Sequence, residues 1–141
     1  MDTDRVFRTS PAPLVLAADA RTAGFRLETT ADAVRVRRGV YTSLARWEEL
    51  PGWDRYLVRV HALALVRPDA MFSHEAAAAL WGLPVFGHPR DVHLFDGRRT
   101  RSLRYGDVAV HTSADRRRCV RDADICATTV ADTVADLVRC L

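Results

Sequence analysis

The chain has 141 residues, a formal charge of +3, and 48% hydrophobic and 28% charged positions. That length fits one medium domain or two small ones rather than a multi-domain enzyme, and the apolar share argues against wholesale disorder. There is no lysine, asparagine or glutamine, so all 21 basic residues are arginine, which excludes a Walker-type phosphate lysine, a pyridoxal Schiff base and a lysine-containing nuclease centre.

Residues Met1–Ser10 carry Asp2, Asp4, Arg5 and Arg8 and no long apolar run, so they do not read as a signal peptide. Pro11 and Pro13 forbid a regular helix before Leu14. Leu14–Thr22 is alanine-rich and reads as a helix with Gly24 as its stop. Glu28–Ala33 can add one or two turns. Val34–Ser43 then alternates apolar and polar residues on both sides of Arg38-Gly39, the pattern of a hairpin with glycine at its turn. Helix, turn, helix and hairpin in that order describe a small winged helix-turn-helix head, residues 1–46.

Residues 47–141 read as a second domain that mixes helices with an antiparallel sheet, so the fold class is α+β. Trp47–Trp53 is a loop rich in Trp and Pro, after which Asp54 caps a helix running to about Arg67. Its Tyr56, Leu57, Val60, Leu63 and Ala64 recur at helical spacing. Ser73 caps a second helix, Glu75 sits in its first turn, and Gly82-Leu-Pro84 stops it. The runs Val92–Phe95, Leu103–Tyr105 and Val108–His111 alternate as strands do. Thr128 or Thr129 caps a closing helix, Val130–Leu141, whose Val130, Val134, Leu137 and Val138 form one apolar stripe. Trp47, Trp53 and Trp81 are packing residues in this reading, each close to apolar neighbours.

Charge is blocked along the chain. Residues 1–46 carry net +3, 47–89 net −2, 90–121 net +5 and 122–141 net −3. The first basic block offers Arg26, Arg35, Arg37, Arg38 and Tyr41 to a phosphate backbone, for which the planar guanidinium fork is suited. The second, Arg98, Arg99, Arg101, Arg104, Arg116, Arg117 and Arg118, reads as a secondary patch or as solvated loop arginines.

Catalytic and metal motifs are not found. Ser73-His74-Glu75 lacks the second histidine of a zinc-protease helix, because Ala78 stands there. His61, His88, His93 and His111 follow no common zinc spacing, and Asp122-x-Asp124 reads as a polar turn. Cys119, Cys126 and Cys140 are odd in number with no C-x-x-C pair, so no disulfide framework is indicated. The apolar stretches His61–Val66 and Ala76–Trp81 are too short to span a bilayer. No catalytic residue, metal site, cofactor or membrane contact is expected, and the compartment read from these features is a reducing cytoplasm.

The blocks Arg35-Val-Arg-Arg-Gly-Val-Tyr41, Ala62-Leu-Ala-Leu65, Ser73-His-Glu-Ala-Ala-Ala78, Gly82-Leu-Pro84, Asp91-Val-His93 and Thr128-Thr-Val-Ala-Asp-Thr-Val-Ala-Asp136 follow one another from about Ala18 onward. Their order and spacing resemble the actinobacterial branch of the AbiEi-type antitoxins of type IV toxin–antitoxin systems. The resemblance implies a transcriptional repressor of its own operon, with a winged helix on operator DNA and a following domain that counteracts a nucleotidyltransferase-like toxin. Many such relatives carry a further endonuclease-like domain after the helix at which this chain stops. The partners implied are double-stranded DNA, a cognate toxin and a second copy of the chain. The alternative is a protein-interaction module that has lost DNA binding, or the front half of a nuclease-bearing relative. The segment from Gly24 to Gly39 discriminates between them: a recognition helix of two turns favours DNA, a bare loop the interaction module.

Overall fold

The computed structural model describes residues 5–85 and 87–140. Asp2, Asp4 and Leu141, the last residue of the expected closing helix, lie outside them. Among the described residues the chain is α+β, with two sheets and five α-helices. It divides into two compact units, Ser10–Val66 and a second made of Met1–Thr9 with Arg67–Leu141. The division therefore falls at Val66 rather than at residue 46.

The Ser10–Val66 unit is built on a three-stranded antiparallel sheet. Its elements are β1 (Val15–Leu16), α1 (Ala17–Thr22), a 3-10 turn (Leu27–Thr29), β2 (Ala33–Arg37), β3 (Val40–Ser43), α2 (Leu44–Glu49) and α3 (Gly52–Val66). The expected hairpin is there. Gly39 takes a φ of +81°, which a side chain would strain, and the pairing shifts register between Arg35 and Arg37 as the chain turns. β3 is the central strand, with Val40, Tyr41 and Thr42 all buried, and the Thr42 hydroxyl donates to the Pro13 carbonyl.

Three readings of this unit change. The alanine-rich run is helical only from Ala17, because Val15 and Leu16 pair with β3. Between Gly24 and Gly39 there is the single 3-10 turn and no α-helix, since the chain enters β2 four residues after that turn ends. Trp47 belongs to a helix rather than a loop: Ser43 caps α2 by accepting from the Arg46 N–H. Ala12, Leu50 and Val58 form a core against which Leu14, Val36 and Trp47 pack, so α3 joins this unit through Val58. The Arg55 guanidinium lies 5.2 Å from the Trp47 ring centre and donates to that residue's carbonyl. Trp53, in contrast, is 66% exposed and packs no core.

The second unit holds a six-stranded mixed sheet. Its elements are β4 (Met71–Phe72), α4 (His74–Trp81), β5 (Val92–Phe95), β6 (Leu103–Tyr105), β7 (Val108–His111), β8 (Cys119–Asp122), β9 (Ile125–Thr128) and α5 (Val130–Arg139), in the strand order β6-β7-β5-β4-β9-β8. β4 pairs parallel with β9, and β5 parallel with β7, so the sheet is not the purely antiparallel one expected. Phe72, Val92, Val108 and Ala127 are buried in its middle. The run of alanines in α4, Ala76 to Ala79, is buried and lets the helix approach both the sheet and α5 closely. Gly82 ends it in the left-handed region, where the Leu83 N–H reaches back to the Ala78 carbonyl.

The N-terminal segment is fastened to this unit. Asp122, expected in a polar turn, accepts from the Val6 and Phe7 N–H groups at 2.7 and 3.4 Å. Phe7 meets the Trp81 ring edge-on at 4.9 Å, and the Trp81 indole donates to the Thr128 carbonyl.

The setting of α5 is the largest departure. Thr129 caps it as expected, accepting from the Asp132 N–H. The residues it buries, however, are Thr133 and Asp136. Val130, Val134 and Val138 are 41, 45 and 60% exposed and Leu137 is half-buried, so most of the apolar stripe is turned to solvent. Polar anchors hold the helix at this rotation: the Thr133 hydroxyl bonds to Thr128 and the Thr129 carbonyl, and Asp136 receives a bidentate guanidinium from Arg117. Among the described residues no helix is long and apolar enough to cross a membrane.

Candidate functional site

The second unit gathers its chemistry-bearing side chains at one place. β4 delivers the chain to Ser73 and then to His74, which opens α4 with a φ of 51°, a conformation uncommon outside glycine. On the sheet, His93 of β5 stands opposite Ala109, and Phe95 opposite His111 of β7. The strand period of two therefore puts His93, Phe95, Ala109 and His111 on one face, with Val92, Leu94, Val108 and Val110 on the other. Three histidines from three elements meet there. The His74 and His111 rings stack at 4.0 Å, His93 and His111 at 5.0 Å, and the ring nitrogens of all three lie within 4.8 Å of one another.

Hydrogen bonds set the tautomers. His93 Nε2 faces a Glu75 carboxylate oxygen at 3.1 Å, and its Nδ1 lies 2.8 Å from His111 Nε2. A carboxylate only accepts, so the neutral His93 carries its proton on Nε2, and its Nδ1 accepts the hydrogen bond that His111 Nε2–H donates. His74 engages the buried Ser73 hydroxyl through Nδ1 at 2.9 Å. Ser73 thus occupies the N-cap position of α4, but its hydroxyl serves the histidine and makes no cap hydrogen bond. Burial pushes the His74 pKa down to about 4, with His111 beside it adding to the effect. Burial also lowers His93, against the pull of Glu75, and lowers His111, with His93 adding to it. The cluster is neutral at pH 7, and its rings keep the lone pairs a metal ion would use.

Two features border it. The Arg117–Asp136 pair leaves side-chain exposures of only 8 and 2%, and the Arg117 guanidinium lies over Phe95 at 4.8 Å. Glu75 also lines an apolar groove of about 300 Å³ formed by Ala78, Leu83, Pro84, Val85, Val134, Leu137 and Val138. Cys126 lies elsewhere, its thiol pushed up to about 11 by burial and then by its hydrogen bond with Cys119.

The arginines singled out from the sequence fall in both units, Arg26 to Arg38 in one and Arg98 to Arg118 in the other. Arg26, Arg35 and Arg38 are exposed, Arg37 is half-buried, and Tyr41 is 9% exposed. In the second block Arg98 and Arg99 both face Asp96, Arg104 pairs with Asp91 at 3.0 Å, and Arg117 is committed to Asp136. Arg101, Arg116 and Arg118 are exposed, and the Arg118 N–H donates to Asp132.

The histidine constellation was not read from the sequence. Its signal was there in weak form, as a histidine inside each of two strand patterns at the phase that faces the helices. Three residues so far apart in the chain carry no local spacing rule. No family model, curated protein or solved structure matches the chain.

Proposed function

We propose that the chain is a non-catalytic regulatory protein of the antitoxin type, and that its 67–141 unit acts by gripping a partner protein with α5 and the groove beside it. The observation that carries this reading is the outward stripe of Val130, Val134 and Val138. A helix that buries Thr133 and Asp136 while leaving three valines 41, 45 and 60% exposed forgoes about half of the ~1.5–3 kcal/mol that full burial of each side chain gives, until something covers it. Contiguous apolar surface rimmed by polar residues is how soluble proteins mark an interaction site. The groove of Leu83, Pro84 and Val85 extends that surface, and an apolar helix of a toxin fits it. The expected test is growth rescue against a nucleotidyltransferase-type toxin. The wild-type chain protects, and a Val134→Asp/Val138→Asp variant of equal stability does not; equal protection by both overturns the reading.

A second reading, contact with duplex DNA, draws on one observation: Arg35 and Arg38 are both exposed at the Gly39 turn of the hairpin. With three residues of 3-10 turn where a recognition helix would lie, such contact runs through phosphates and carries little base information. Repression of its own operon would then need a partner or a second copy to supply specificity. Anisotropy titrations of the upstream duplex and a shuffled one, at two salt concentrations, test this: equal, salt-sensitive binding supports contact through phosphates, a preference that survives high salt adds base readout, and no binding to either duplex overturns the reading.

A further inference from the structure

We infer that His74, His93 and His111 form a binding site for one divalent transition-metal ion of the zinc class, taken by Nε2 of His74, Nδ1 of His93 and Nε2 of His111. One ring nitrogen from each histidine lies within 4.8 Å of the other two, and His93 Nδ1 and His111 Nε2 already touch at 2.8 Å. A tetrahedral ion with metal–nitrogen bonds of about 2.0–2.1 Å needs its ligands about 3.3 Å apart, so a shift of about 1–2 Å completes the set. The hydrogen bonds select the donor atoms. Glu75 holds the Nε2 proton of His93 and so turns Nδ1 toward its neighbours, the carboxylate–histidine arrangement that orients metal ligands. Ser73 occupies Nδ1 of His74 and leaves Nε2 as its donor. The ion takes the place of the His111 Nε2 proton that His93 Nδ1 accepts, and that same proton passes to His111 Nδ1, so both rings stay neutral.

The donor set defines the metal class. Three imidazoles suit zinc, copper, nickel or cobalt, whereas calcium and magnesium require oxygen ligands. Three protein ligands leave a fourth position for water or a group from a partner. The left-handed backbone at His74, φ 51°, is strain kept where this ring must face the other two.

The untagged full chain, stripped with a chelator, is titrated with Zn²⁺ in competition with a chromophoric chelator at neutral pH, and with Co²⁺ by visible absorption. The expected result is one ion per chain, the intense d–d bands of tetrahedral cobalt, and a rise in Tm with added Zn²⁺. Glu75→Gln lowers affinity 10–100-fold, and His93→Ala with His111→Ala abolishes binding, while His88→Ala, an exposed histidine outside the cluster, leaves it unchanged. The first three readouts use the wild-type protein, so they stand even if a variant fails to fold. No saturable binding by wild type, the weak spectrum of octahedral cobalt, or wild-type affinity in the double variant overturns the assignment.

Discussion

The two units differ in the polar groups they bury. In Ser10–Val66 the core is apolar, with Ala12, Leu50 and Val58 inside, while Arg26, Arg35 and Arg38 are outside together with the exposed Phe25 and Trp53. In the 67–141 unit, by contrast, three histidines, an Arg–Asp pair and two threonines are drawn inward, and valines of α5 are turned out. Burying polar groups in that number is costly unless each finds a partner, and here Ser73, Glu75 and Thr128 supply partners. Both units keep an apolar core, and the second adds to it a buried polar network.

Breaking the network gives the largest effect. Asp136→Ala removes the bidentate partner of the Arg117 guanidinium, which keeps its bond to the Asp115 carbonyl, and is expected to cost about 3 kcal/mol in urea denaturation. Arg55→Ala in the other unit removes a cation–π contact and a carbonyl hydrogen bond, with an expected loss of about 1–2 kcal/mol. Equal losses for the two changes would erase the contrast.

Acid is the next lever, and its sign follows from burial. The folded state holds His74 near 4, below its unfolded value of 6.5, and lowers His93 and His111 as well. Between those values the unfolded chain binds protons that the folded rings refuse. Stability is therefore complete above pH 6.5 and falls as the pH drops toward 4. Melting temperatures recorded from pH 7.5 to 4.5 should decline through this window, and a His74→Phe variant should show a shallower decline. A flat profile in the wild type contradicts the neutral cluster.

The smallest effect is expected on the hairpin. If Arg35 and Arg38 each touch a phosphate, replacing both with alanine flattens the slope of log affinity against log salt by about two units and leaves Tm unchanged. An unchanged slope moves any contact to the exposed Arg101, Arg116 and Arg118.

How far the sequence could be read follows the same division. Strands β5, β6 and β7 match the alternating runs residue for residue, and Gly39, Gly82 and Thr129 act as turn, stop and cap. Such features are local, written in spacing and in residues with a fixed conformational habit. β4 escaped because two residues have no period, and α2 because Trp47 and Pro51 suggested a loop. For α5, periodicity shows that a stripe exists but not which way it faces; Thr128 just before the helix and Arg117, 19 residues before Asp136, decide that. The histidine cluster depends on the parallel register of β5 and β7, which no stretch of sequence encodes by itself.

The rotation of α5 is the point on which the account rests, and paired melts of Thr133→Val and Val134→Asp test it most directly. With Thr133 inside and Val134 at the surface, the valine substitution should cost about 1–3 kcal/mol through the stranded Thr128 hydroxyl, and the aspartate within about 0.5 kcal/mol. The opposite ranking, a tolerated Thr133→Val and a collapsed Val134→Asp, would mean that the stripe is core and that the proposed partner surface does not exist.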